Sequence, residues 1–254
     1  MAPIEREGAK SESWRFFHIG YCDKEFSRQG SELLLPYWFM WKRIQDPVSG
    51  LTHLVGAFLG AGALVYLVYE SRQCHRSLAD IVAFSVFGVS LILLYLSSAF
   101  YHMLDVPPRA KEIFRQLDHA MIFVLIAGSY TPFCVIALSG TLGWGLLFCV
   151  WFLTIGGLIL SIWWIHAPRW FSTACYLGLG WLAICVVIPL YHSLSPTGFA
   201  WLVTGGLCYT VGAVIYGLEK PDPFPPYFGF HEIWHLFVLA GSVSHFLSIA
   251  SLLG

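Results

Sequence analysis

The sequence predicts an all-α integral membrane protein, a bundle of seven transmembrane helices with its N-terminus in the cytoplasm. Three observations carry that prediction. Hydrophobic residues make up 57% of the chain and charged residues 11%, where soluble domains carry about 25%. Seven stretches of mostly apolar residues, each of about the 20 that cross a bilayer, fill nearly everything after residue 50. Twelve of the fourteen Lys and Arg residues fall on one side of the resulting topology.

Residues 1–50 form a mostly polar N-terminal segment. It has no secretory signal pattern, so the first membrane helix is expected to direct insertion itself. Within it, "LLLPYWFMWKR" at 33–43 is too short to span and is broken by Pro36. Its aromatics and the adjoining Lys42 and Arg43 suit either a stretch lying at headgroup level or a loop packed on the bundle. The transmembrane domain is expected over 51–254, with spans at 51–69, 79–101, 117–138, 141–162, 173–194, 199–218 and 231–252. Basic residues orient them. Arg6, Lys10, Arg15, Lys24, Arg28, Lys42 and Arg43 precede the first span. Arg109, Lys111 and Arg115 follow the second, Arg169 the fourth and Lys220 the sixth. Only Arg72 and Arg76 lie on the other side. The positive-inside rule therefore places the N-terminus in the cytoplasm and the C-terminus outside.

The net charge of −1 and the lack of a basic run give no footprint for nucleic acid. The seven cysteines are scattered without a C-x-x-C pair. They read as small hydrophobes rather than as a disulfide framework.

The last span opens "HEIWHLFVLAGSVSHF" at His231, and its first five residues fit the zinc signature H-E-x-x-H. His231 and His235 stand at i and i+4 on one helix face, where two imidazoles can grip one ion. Orientation adds further groups at the same depth. The second span runs inward and ends "SSAFYH", which brings His102 to that end with Ser98 one turn before it. The third starts there with "QLDHA", which brings Asp118. Taken singly, Ser98 would back-bond to its own helix, Asp118 would cap the third helix, and His102 would be a satisfied core histidine. Ionisable groups gathered within spans instead raise a functional hypothesis.

The other histidines read as weaker candidates. His53 enters the first span as either a supporting or a packing residue. His119 lies about 100° round the helix from Asp118. His245, about 15 Å beyond His235, is expected to be hydrogen-bonded within the bundle. His166 reads as interfacial, and His18, His75 and His192 as loop or helix-end residues.

Imidazole ligands suit zinc, copper, iron or nickel, and zinc is the usual occupant where three ligands leave a fourth position open, lowering the pKa of a bound water towards about 7. His102, His231 and His235 are the expected ligands. Asp118 is then a general base towards the water, and Ser98 a donor to the polarised carbonyl. The implied reaction is hydrolysis of an amide or ester, and a site within the inner leaflet favours acyl lipids as substrates. A protease would use Glu232 as base, and its extended motif would need Gly at 238 and His at 241, where this chain has Val238 and Gly241. Glu232 accordingly reads as a headgroup-facing residue, with an intramembrane protease kept as a minor reading.

These motifs, together with "DPVSGLTHLVGA" and "RQLDHAMIFVLIAGSYTPF", resemble the hemolysin III family, the bacterial branch of the progestin and adipoQ receptor superfamily. The match covers almost the whole chain after residue 45. The resemblance implies seven helices, an inside N-terminus, zinc on His102, His231 and His235, and Asp118 beside the metal's water. Related alkaline ceramidases share the constellation, and adiponectin receptors are thought to hydrolyse ceramide. Members can carry Gln at the position of Glu232, against an obligatory catalytic Glu. Asp46 and Ser49 stand where the receptors resemble E-x-x-N, which leaves that motif without an assigned role. Two other functions compete: a pore-forming cytolysin, poorly supported because the fourth to sixth spans offer little polar lining, and a receptor or homeostasis protein whose zinc is structural.

Overall fold

The computed structural model describes residues 45–138, 140–225 and 228–254, so the stretch at 33–43 and His18 lie outside the described residues. Seven helices are long and apolar enough to cross a membrane: α1 Pro47–Gln73, α2 Leu78–Met103, α3 Pro108–Leu138, α4 Gly140–Trp163, α5 Arg169–Ser193, α6 Pro196–Leu218 and α7 Phe230–Leu253. No named strand accompanies them among the described residues. Helices are what a bilayer permits, because every backbone N–H and C=O finds its partner within the segment. Large apolar side chains face outward, such as Phe148 at 75% and Phe58 at 72% exposure, as a surface solvated by lipid requires. The protein is a multi-pass integral membrane protein.

The helix starts follow from local chemistry. Pro47, Pro108 and Pro196 occupy first-turn positions, where a missing N–H costs nothing. Ser77 and Ser195 cap α2 and α6, accepting the N–H groups of Asp80 and Gly198. One expected boundary moves substantially. α3 begins at Pro108, nine residues before the apolar stretch at 117, because helical backbone continues through Arg109, Lys111 and Arg115. Asp118 is therefore well inside the helix, and a capping role is excluded.

Two spans are irregular, and both irregularities trace to proline. In α3, Pro132 is followed by a π-helical turn over Phe133–Leu138, since proline withdraws an N–H from the regular ladder. In α5, Leu182–Val186 narrows to a 3₁₀ turn ahead of Pro189. The Tyr130 hydroxyl of α3 enters this break. It accepts from the Ala183 N–H at 2.7 Å and donates to the Gly180 carbonyl at 2.6 Å. One side chain thus satisfies backbone that lipid could not.

α2 packs between α1 and α3, α7 packs between α6 and α1, and α5 packs on α6 and α3. Close approach of α1 to α2 depends on Gly56, where a Cβ would sit 2.7 Å from the Tyr95 ring. Tyr95 in turn donates to Ser242 Oγ at 2.7 Å, and Ser242 also meets the Tyr209 hydroxyl at 2.9 Å. This buried triad ties α2, α6 and α7 at mid-depth and sets how α7 is rotated towards α1 and α2.

Candidate metal centre

At the end of the bundle where α2 finishes and α7 begins, three imidazoles converge. His102, His231 and His235 each offer a ring nitrogen, and all three nitrogens lie within 4.8 Å of one another. His102 and His231 face one another through their Nε2 atoms at 3.2 Å. His102 and His235 are buried, at 3% and 2% exposure, and His231 is half-buried. The three residues can hold a metal ion.

The tautomers follow from the partners on the far side of two rings. His102 Nδ1 lies 3.1 Å from Asp46 Oδ2. A carboxylate only accepts, so Nδ1 carries the proton and Nε2 presents its lone pair inward. The hydrogen bond from His102 holds the Asp46 carboxyl below its ordinary value, so it is ionised at neutral pH. The backbone repeats the tie, with the Asp46 N–H donating to the His102 carbonyl at 3.1 Å. His235 Nδ1 lies 3.3 Å from the Ser49 carbonyl, and the same argument leaves its Nε2 free. Carboxylate or carbonyl partners behind imidazoles are the usual support of metal-ligating histidines.

The start of α1 is thus a buttress for the cluster. Sequence reasoning left Asp46 and Ser49 without a role, although D-P-V-S presents a carboxylate and a hydroxyl one helical turn apart at a proline-started helix. Glu232, read from the sequence as a headgroup-facing residue, is half-buried and hydrogen-bonded into the same buttress. Its Oε1 accepts from Ser49 Oγ at 2.8 Å and its Oε2 from the Gly229 N–H at 2.8 Å. Its carboxylate is committed to capping α7 and holding α1, which leaves the H-E-x-x-H likeness without its catalytic glutamate.

Beside the cluster lies a cavity of about 280 Å³ with mostly apolar walls, to which all seven helices contribute. It runs along α7 from His231 past His235 to His245, about 20 Å of helix rise. Ser98, Asp118 and His53 are on its wall with His231 and His235. Ser98 Oγ is buried and makes no hydrogen bond among the described residues, neither back to α2 nor to a neighbour. Asp118 is 9% exposed. His119 also reaches this cavity.

The outlying histidines are as follows. His166 is exposed and meets Arg115 Nη2 at 3.1 Å. His75 sits in the α1–α2 turn and His192 in the last turn of α5. His245 is enclosed in the bundle, where the Leu202 backbone is its polar neighbour, although among the described residues neither ring nitrogen makes a well-formed hydrogen bond. Its ring packs edge-on to Tyr209, over Gly205, where a Cβ would collide with it.

A model of the haemolysin-III-related family matches residues 41–246. The chain belongs to that family. Among curated haemolysin-III relatives, Hemolysin-3 of Bacillus cereus is 42% identical over 205 residues, covering 81% of this chain and 90% of that protein. The Hemolysin-3 homolog of Bacillus subtilis strain 168 is 43% identical over 205 residues, 81% of this chain and 92% of its own. The human Monocyte to macrophage differentiation factor is 25% identical over 204 residues, covering 78% and 82%. The matched region of this haemolysin-III-related chain contains the whole histidine cluster and its buttress.

Proposed function

We propose that this haemolysin-III-related protein is a zinc-dependent hydrolase of acyl lipids, an amidase of the ceramidase kind. It would act from the cytoplasmic leaflet of the bacterial inner membrane, with its N-terminus inside, in membrane lipid homeostasis. The observation that supports the reading is the convergence of three imidazole nitrogens beside an apolar cavity whose lining includes His231, His235, Ser98 and Asp118.

The donor set fits zinc. Two nitrogens bound at 2.0–2.1 Å with a tetrahedral angle stand about 3.3 Å apart, and the Nε2 atoms of His102 and His231 stand at 3.2 Å. Three neutral imidazoles leave one coordination position open, as catalytic zinc sites do. When bound, zinc would supply Lewis acidity and bring the ionisation of water near neutral pH. The chain's own groups supply the rest. Ser98 Oγ, buried without a partner, donates to the substrate carbonyl oxygen as negative charge grows there. Asp118 takes the proton of the attacking water and returns it to the leaving amine. The apolar cavity receives the acyl chain and keeps other water away.

The test combines metal analysis of the purified protein with hydrolysis of N-acyl-sphingosine and the matching ester in detergent micelles. About one zinc per chain and fatty-acid release that stops on chelation and returns with zinc are expected. Retained metal without release from either substrate would make the zinc structural and end the hydrolase reading. The buttress gives a graded check. Asp46→Ala removes the partner of His102 Nδ1 and is expected to weaken zinc about 10–100-fold, read by competition with a chromophoric chelator.

A further inference from the structure

We propose that His53, on α1, is a ligand-contacting residue: its imidazole hydrogen-bonds the polar head of the lipid that enters the cavity. This rests on the reading that an acyl lipid occupies that cavity.

His53 is buried at 3% exposure and lies on the cavity wall with Ser98 and Asp118. Its ring stacks on His235 with centroids 3.6 Å apart and planes 12° apart. The Tyr95 ring meets it edge-on at 5.0 Å. These contacts account for a flat ring at position 53. They do not account for an imidazole, because a phenyl ring would stack as well and bury no polar atom. Yet among the described residues neither Nδ1 nor Nε2 makes a well-formed hydrogen bond, the His235 backbone being the ring's polar neighbour. A neutral imidazole carries one donor and one acceptor, and burying both unpaired costs stability. Such an orphan calls for a specific partner.

The surroundings narrow the choice of partner. The His235 proton is committed to Ser49, and the Tyr95 hydroxyl is committed to Ser242. What remains beside His53 is the cavity, at the end shared with the three-histidine cluster. A carbonyl oxygen that arrives there accepts from the ring's N–H, the one nitrogen a single head group can reach, because the two ring nitrogens point in divergent directions. A carboxylate oxygen does the same. Ser98 Oγ, also unpaired and on the same wall, supplies a second bond to the same head. The two orphans, one on α1 and one on α2, form a polar rim that orients the carbonyl towards the cluster while the chain lies in the apolar part.

His53→Phe separates the roles, because it keeps the stack on His235 and removes only the nitrogens. The probe is radiolabelled palmitate, bound to the full-length purified protein in detergent and followed by scintillation proximity, with and without chelator. His53→Phe is expected to keep wild-type metal content and thermal stability while binding palmitate at least about tenfold more weakly, the loss of one hydrogen bond to a charged group. His53→Gln, which retains a donor and an acceptor without the ring, is expected to bind within about threefold of wild type and serves if the Phe variant does not accumulate. Wild-type palmitate affinity in His53→Phe would show the ring to be packing alone. Loss of metal in His53→Phe would assign the imidazole to the cluster. Either result overturns the proposal. Wild-type protein that binds no palmitate overturns it together with the lipid reading. Palmitate binding without any hydrolysis leaves it standing and removes only the hydrolase.

Discussion

Replacing His235 with alanine is expected to abolish both bound metal and lipid hydrolysis. His235 is the most enclosed of the three candidate ligands, at 2% exposure. It is anchored to the Ser49 carbonyl through Nδ1 and packed face-on against His53 and edge-on against His102. Alanine at this position removes a ligand, leaves the Ser49 carbonyl unpaired and opens a void between α1 and α7. Changes to the supporting groups behind metal ligands cost about 10–100-fold in affinity, and loss of a ligand itself should exceed that. Elemental analysis and fatty-acid release are the readouts. His235→Gln fills the void and restores a donor to Ser49 but offers no imidazole. It should fold as the wild type does while still lacking metal, so that misfolding and ligand loss are told apart. Turnover that persists in metal-free protein would end the zinc reading.

Asp118→Asn is expected to lower kcat about 10²–10⁴-fold, the range for loss of a positioned general base, with metal content unchanged. Asparagine keeps the shape of the side chain and removes its basicity. The residue does not cap its helix. It lies ten residues inside α3, far from the helix start at Pro108, and its side chain is on the cavity wall. A capping aspartate would instead show as a stability loss with kcat preserved. If metal disappears along with activity in Asp118→Asn, the carboxylate is a ligand rather than a proton carrier, and the division of labour proposed for the site fails.

The parts of this protein readable from the chain were those set by distance along a helix. Hydropathy located seven spans, and i, i+4 spacing put His231 and His235 on one face. Counting residues from span ends brought His102 to the same level. The misplacements arose where a side chain's partner sits on another helix. Glu232 looked like a headgroup residue because its partner Ser49 is 183 residues away in sequence. Asp46 looked idle because its partner, His102, ends a different helix. The start of α3 was misjudged because hydropathy marks where a helix becomes apolar, and helical backbone had begun nine residues earlier.

By itself, then, the amino-acid order determined which seven stretches of the described residues are long and apolar enough to cross a membrane and where each polar group lies along its helix, because both follow from apolar length and a rise of about 1.5 Å per residue. It did not determine the rotation of each helix about its own axis. Contacts such as Tyr95 over Gly56 and Ser242 between two tyrosines set that rotation. Rotation decides which neighbours meet. It turned an unassigned α1 motif into the support of the histidine cluster and left His53 on the wall of a cavity, with neither ring nitrogen well hydrogen-bonded among the described residues.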